Sequence, residues 1–204
     1  METVLTKHAD MVKFIANSKG NMIVSGPPGC GKSFTARQMF PEAKFLRGGI
    51  SAPALIRHLA VLAYDEQPKT VILDDCEDLI KQNLNLFKAI LDTDYPYAEW
   101  ERSMGPTLKA LKKDPNEKSM FLYGCMIKFF NGVGLTIPTD KMQFIVLTNE
   151  TINNQALLSR CDYGTCMPDF KWVCDALQLS PEQAEALKQK YSGADIRRAA
   201  MVMP

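Results

Sequence analysis

The stretch that most limits what this chain can fold into is Gly26-Pro27-Pro28-Gly29-Cys30-Gly31-Lys32-Ser33, which satisfies G-x-x-x-x-G-K-[ST] at every fixed position. It is preceded by Met22–Ser25, a short apolar run predicted as a strand, and it opens Lys32–Phe40, predicted as a helix ended by Pro41. Strand, glycine-rich turn and helix in that order let the backbone curl so that successive N–H groups point inward at the positive end of a helix dipole. Phosphate oxygens fit such a cradle. Gly26, Pro27, Pro28, Gly29, Cys30 and Gly31 would form it, Lys32 would neutralise the β- and γ-phosphates of ATP, and Ser33 would place its hydroxyl on Mg2+.

The other hydrophobic runs alternate between helix and strand character, which predicts an α/β fold with a mainly parallel sheet sandwiched by helices. Val4–Ala16 has helical spacing. Lys44–Leu46, Val71–Leu73 and Phe144–Thr148 read as buried strands and Thr165–Met167 as a weaker one, while Ala52–Tyr64 and Glu77–Leu91 read as helices. Beyond Pro168 the strand signal stops. Phe170–Gln178, a helix opened by the capping box of Ser180 and Gln183 with Pro181 between them, and Ala194–Met203 predict a small all-α lid. The expected organisation is an α/β core over residues 1–167, carrying an insertion over 92–143, and a helical lid over 168–204.

Composition narrows the function classes. With 46% hydrophobic residues and 24 Lys+Arg against 23 Asp+Glu, the 204-residue chain is neither disordered nor drawn to nucleic acid or lipid by bulk charge. No apolar run approaches the roughly 18 residues that span a bilayer, so no membrane partner is expected. The opening METVLTKHAD lacks a basic-then-apolar signal pattern, which predicts a cytoplasmic, reducing setting in which the six cysteines stay thiols. Cys161, Cys166 and Cys174 form no C-x-x-C pair, and His8 and His58 are remote in sequence, so no zinc site is expected.

A second functional signal lies at Thr70-Val71-Ile72-Leu73-Asp74-Asp75, a buried strand that delivers two carboxylates at its C-terminal end, where open α/β sheets bind ligands. Asp74 would hold Mg2+ and Asp75 would orient or deprotonate the attacking water. With these two motifs the chain resembles the AAA+ ATPases. Phe144-Ile145-Val146-Leu147-Thr148-Asn149 is similar to their sensor-1 strand, which implies that Asn149 positions water between the carboxylates and the γ-phosphate. Ala156-Leu157-Leu158-Ser159-Arg160-Cys161 resembles the Ser-Arg-Cys box of clamp-loader subunits, which implies that Arg160 projects into a neighbour's ATP site. Gly193-Ala194-Asp195-Ile196-Arg197-Arg198 resembles the sensor-2 helix start, which places Arg197 on the γ-phosphate and leaves Arg198 for the surface. Asp75 departs from the usual Asp-Glu pair. It is one methylene shorter than glutamate, which favours binding over fast turnover, with Glu77 as a possible assistant.

The least family-like part is the insertion. Its opening, through Tyr95-Pro96-Tyr97 and Trp100, reads as a helix followed by an aromatic turn, and Gly132-Val133-Gly134 as a flexible turn or hairpin tip. Lys109, Lys112, Lys113 and Lys118 precede Phe121, Tyr123, Phe129 and Phe130, and Glu101 to Lys141 holds seven Lys/Arg against four Asp/Glu. Basic residues interleaved with aromatics suit single-stranded DNA over 102–141, although a solvated lysine face over core aromatics explains them equally. The resemblance implies an oligomeric ATPase, a ring or helical assembly of this chain or of related subunits, that remodels or loads a replication-type machine such as a helicase or clamp. Two alternatives remain open, a nucleotide-gated adaptor with little hydrolysis and a small P-loop kinase. The chain stops after the Arg197 helix, so the collar domain of clamp loaders is not expected, and assembly would rely on the AAA+ modules.

Overall fold

The computed structural model describes residues 2–203, so Met1 and Pro204, the outer bounds of the expected core and lid, lie outside the described residues. In chain order the elements are β1 (Glu2–Leu5), α1 (His8–Asn17), β2 (Met22–Ser25), α2 (Lys32–Met39), β3 (Lys44–Arg47), α3 (Ala52–Tyr64), β4 (Lys69–Asp74), α4 (Glu77–Gln82), α5 (Leu84–Ile90) and β5 (Tyr97–Trp100). They continue as α6 (Gly105–Lys113), α7 (Glu117–Lys128), β6 (Leu135–Pro138), β7 (Met142–Thr148), α8 (Gln155–Leu158), β8 (Asp162–Cys166), α9 (Phe170–Ala176), α10 (Pro181–Lys190) and α11 (Ile196–Val202).

Six strands form one parallel sheet in the order β1-β8-β2-β7-β4-β3. Side chains alternate across a strand, and the three central strands are apolar on both faces, which is why their sequences read as unbroken hydrophobic runs. Ile23, Val71, Leu73, Phe144 and Val146 enter the larger core with α3 to α7. Their neighbours Met22, Val24, Ile72, Ile145 and Leu147 enter a second core with α1, α2 and Trp172. Helices therefore flank both faces of the sheet.

Three expectations are corrected. The predicted helix over Val4–Ala16 begins only at His8, because Glu2–Leu5 pairs with β8 in the register Leu5↔Cys166 and adds an edge strand. The predicted helix over Glu77–Leu91 breaks at Asn83, whose side-chain amide donates to the Leu79 carbonyl at 3.0 Å while its own backbone leaves helical geometry. The predicted aromatic turn is β5, antiparallel to β6, with Trp100 opposite Leu135. Gly132-Val133-Gly134 does form a turn at a hairpin tip, with Phe130 bridged antiparallel to Leu135 and the Asn131 N–H donating to the Gly134 carbonyl at 3.2 Å, while Gly134 itself is pressed against β5, where a Cβ would lie 1.8 Å from the Trp100 carbonyl oxygen.

The insertion folds back onto the core. Leu108, Met126, Leu135 and Ile137 are buried in the main cluster, and Tyr123, Phe129 and Phe130 pack against it. Of the four aromatics singled out in the sequence only Phe121 is largely exposed, set edge-on to the ring of Tyr64. Lys109, Lys112, Lys113 and Lys118 are exposed on α6 and at the start of α7. After β8 the chain forms α9, α10 and α11 around Val173, Leu187 and Ala199, and the capping box at Ser180 and Gln183 is present.

Candidate functional site

The C-terminal ends of β2, β7 and β4 lie side by side, with Ser25 in register with Thr148 and Leu147 with Asp74. Because β7 separates the other two, Asn149 emerges between the glycine-rich turn after β2 and the acids after β4. The turn needs its glycines: Gly29 and Gly31 have φ of 82° and 93°, and a Cβ on Gly29 would lie 2.4 Å from the Asp195 carboxyl carbon. Among the described residues the N–H groups of Gly29, Cys30 and Gly31 donate to no backbone carbonyl. They stand at the N-terminus of α2, an arrangement suited to an anion.

Two polar rows cross this end of the sheet. In one, the Lys32 ammonium donates to the carbonyls of Gly26 and Pro27 at 2.7 and 3.0 Å and to Asn149 Oδ1 at 3.3 Å, and Asn149 Nδ2 donates to Asp75 Oδ1 at 2.7 Å. In the other, Ser33 Oγ donates to Asp74 Oδ1 at 2.6 Å and Arg47 Nε to Asp74 Oδ2 at 3.0 Å. Asp75 adopts left-handed φ of 56°, its N–H held by the Leu147 carbonyl, and Glu77 Oε1 accepts from the Asn149 N–H at 2.6 Å. Glu77 thus braces Asn149. The hydroxyl of Ser33 and the carboxylate of Asp74 are hard oxygen donors 2.6 Å apart, the kind of set that holds Mg2+ when phosphate oxygens complete the shell.

The three terminal helices close one side. Trp172 is wholly buried, and its indole N–H donates to the Cys30 carbonyl at 3.0 Å; the Ile196 N–H donates to the Gly29 carbonyl at 3.0 Å. Between these helices and the turn lies a cleft of about 710 Å³ lined by Lys32, Ser33, Arg47, Asp75, Asn149 and Arg197. Arg197 reaches it from α11, whose N-cap Asp195 accepts from the Arg197 and Arg198 N–H groups. Pro28, Gly29 and Gly31 also line it, while Cys30 is buried behind them with its sulfur 3.6 Å from the Lys32 ammonium. The neighbouring Cys166 thiol, aided by that ammonium, draws the Cys30 thiol below its ordinary value against the effect of burial, and Cys166 moves up correspondingly.

Arg160 is elsewhere. It precedes β8, whose first residue Asp162 is level with Met22 at the opposite end of β2, so roughly 13 Å of strand separates it from the turn. Its Nε and Nη2 both donate to Asp92 Oδ2 at 2.9 Å, and Nη1 to the Ala156 carbonyl at 2.6 Å. The Tyr95 N–H, then Arg160, hold the Asp92 carboxyl below the usual carboxylate range.

Sequence reasoning missed Arg47, Trp172 and His8. For Arg47 the sequence offered a charged residue at the end of a short strand, but not the pairing of that strand with β4. For Trp172 and His8 nothing in the local pattern marked a role, since their contacts are all remote in sequence. His8 Nε2 lies 3.1 Å from Thr35 Oγ1, and its ring sits edge-on to Trp172. Burial lowers the His8 pKa below 6.5, against the opposing charge of Asp175. A histidine held neutral in this way contributes stability that is present above 6.5 and is lost as pH falls through its lowered folded value. Thermal melts are therefore expected to fall from pH 7 to pH 5, with a shallower slope in His8→Gln. Some slope should remain from His58, lowered by burial and then by Lys44 and Arg57. An unchanged slope in the variant would exclude His8 as the coupled group.

No helix among the described residues is long and apolar enough to cross a membrane. Compared with known protein families and with curated proteins, the sequence finds no match.

Proposed function

We propose that the chain is an AAA+-type ATPase that binds ATP and Mg2+ between the subunits of an oligomer and uses them to remodel or load a nucleic-acid-associated machine. The observation that carries this reading is the convergence on one cleft of Lys32 and Ser33 from α2, Asp75 from the end of β4, Asn149 from β7 and Arg197 from α11, with Asp74 bonded to Ser33 at its base. Ser33 and Asp74 would hold the magnesium, which supplies charge withdrawal from the β- and γ-phosphates. Lys32 exchanges the carbonyls of Gly26 and Pro27 for phosphate oxygens. Asp75, held through Asn149, orients the attacking water and takes its proton, while Arg197 meets the terminal phosphate from the opposite wall.

Arg160 acts in this scheme on the next subunit, because its own cleft is beyond reach. Contact with single-stranded DNA is assigned to the lysines of α6 and α7, mainly through phosphates, since the insertion offers few free rings for stacking. A helicase or clamp is the corresponding protein target. The six free thiols fit a reducing, cytoplasm-like setting.

One observation favours the adaptor reading, in which ATP binds and little is hydrolysed: the short Asp75 carboxylate is already engaged by Asn149. ATPase rate per chain, measured across protein concentration with Lys32→Ala as the control, separates the possibilities. A rate that rises with concentration and is absent in Lys32→Ala is the expected result. A rate independent of concentration excludes a shared site, and ATP binding with turnover equal to the control establishes the adaptor.

A further inference from the structure

Arg47 and Asp74 are direct neighbours in register at the ends of β3 and β4, so their side chains leave the sheet at one end and on one face. The two differ sharply in setting: the Asp74 side chain is 1% exposed and that of Arg47 62%. The contact is also one-sided. Only Nε of Arg47 meets Asp74, rather than the two-pronged fork that makes arginine–carboxylate pairs strong, and the guanidinium end of the pair stands in solvent. Arg47 also lines the cleft that holds Lys32, Asn149 and Arg197. Asp74 Oδ1 is taken by Ser33, so the oxygen that Arg47 covers is the one left to a second cation.

On this basis, and resting on the nucleotide reading above, we propose that Arg47 holds the Asp74 carboxylate until Mg2+ displaces it, and then contacts the terminal phosphate of ATP from within the same subunit. The exchange follows from charge. A divalent cation and a guanidinium on one buried carboxylate repel each other at contact distance. Arg47 is tethered to a short strand and borders the cleft, the Asp75 carboxylate is engaged by Asn149, and the terminal phosphate is the remaining anion beside it. Arg47 thereby reports on both the metal and the third phosphate, which gives the site a preference for ATP over ADP.

Calorimetric titration of the full chain with ATP and with ADP at saturating Mg2+, together with the Mg2+ half-saturation of ATP binding, tests this in wild type, Arg47→Ala and Arg47→Gln. Both variants should lose roughly tenfold in ATP affinity, the worth of one charge-assisted hydrogen bond, while ADP affinity stays unchanged. Mg2+ half-saturation should fall by about two- to fivefold, because a single-point contact whose guanidinium is screened by solvent no longer competes for the carboxylate. The glutamine variant keeps a donor beside Asp74 and covers the case in which alanine unfolds. Equal losses for ATP and ADP, or an unaltered Mg2+ requirement, overturn the proposal while leaving the nucleotide site intact. Failure of the wild type to bind either nucleotide overturns the nucleotide reading itself, and this proposal with it.

Discussion

Arg160→Ala is expected to lower the ATPase rate of concentrated protein by about 10³-fold, the lower end of what a trans-acting arginine contributes to phosphoryl transfer. The size of the effect follows from position. Arg160 stands at the N-terminal end of the sheet and the candidate cleft at the C-terminal end, so the proposed function needs its guanidinium to act on a second copy or a related subunit. Within its own chain it is tied to Asp92 and the Ala156 carbonyl, and it must leave Asp92 to meet a phosphate. A mixing experiment makes the test sharp. Arg160→Ala retains an intact cleft and Lys32→Ala retains the arginine, so mixing two inactive proteins should restore activity in sites that combine both. Steady-state rates that stay at the level of either variant alone, or an Arg160→Ala rate equal to wild type, would exclude the trans role.

The largest effect on stability is expected at Trp172. Truncating a fully buried aromatic to alanine costs about 3–5 kcal/mol, and here it also strips the Cys30 carbonyl of its donor and removes the ring against which His8 rests. Trp172→Phe retains most of the packing and loses only the indole N–H, so its cost should be about 1–3 kcal/mol, the range for an unpaired buried acceptor. Urea unfolding followed by circular dichroism gives both values. Nucleotide affinity should fall more than global stability predicts, because Cys30 belongs to the turn that Trp172 steadies. A loss below about 1 kcal/mol in Trp172→Ala would mean that the terminal helices do not depend on this side chain.

Much of this architecture was legible in the sequence wherever one local rule decided it. Met22–Ser25, Val71–Leu73 and Phe144–Thr148 are apolar on both faces because both faces are covered, and Ser180 with Gln183 specifies a helix start by itself. The candidate residues Lys32, Ser33, Asp74 and Asp75 were legible for the same reason, each at the end of an element whose type the local pattern set, whereas Asn149 and Arg197 were singled out by the resemblance to the AAA+ ATPases. Illegible features were those settled by a distant partner. Glu2–Leu5 has no strand signature until Asp162–Cys166 offers it an edge, and Tyr97–Trp100 becomes a strand only against Leu135–Pro138. Asn83 interrupts a well-patterned amphipathic run through its own side chain. Arg47 gained its place from a register between two strands, which no window of sequence contains.

The position of β7 also dictates the order in which the molecule can be made. β2 and β4 each pair with β7 and not with one another, so the centre of the sheet has a gap until Met142–Thr148 has left the ribosome. Contacts that close loops this long form slowly, and the unpaired inner edges of β2 and β4 stay open to other chains in the meantime. The glycine-rich turn and the acids of β4 become neighbours in that same late step. Under the proposed function, capture of a fluorescent ATP analogue during refolding would therefore time the insertion of the central strand.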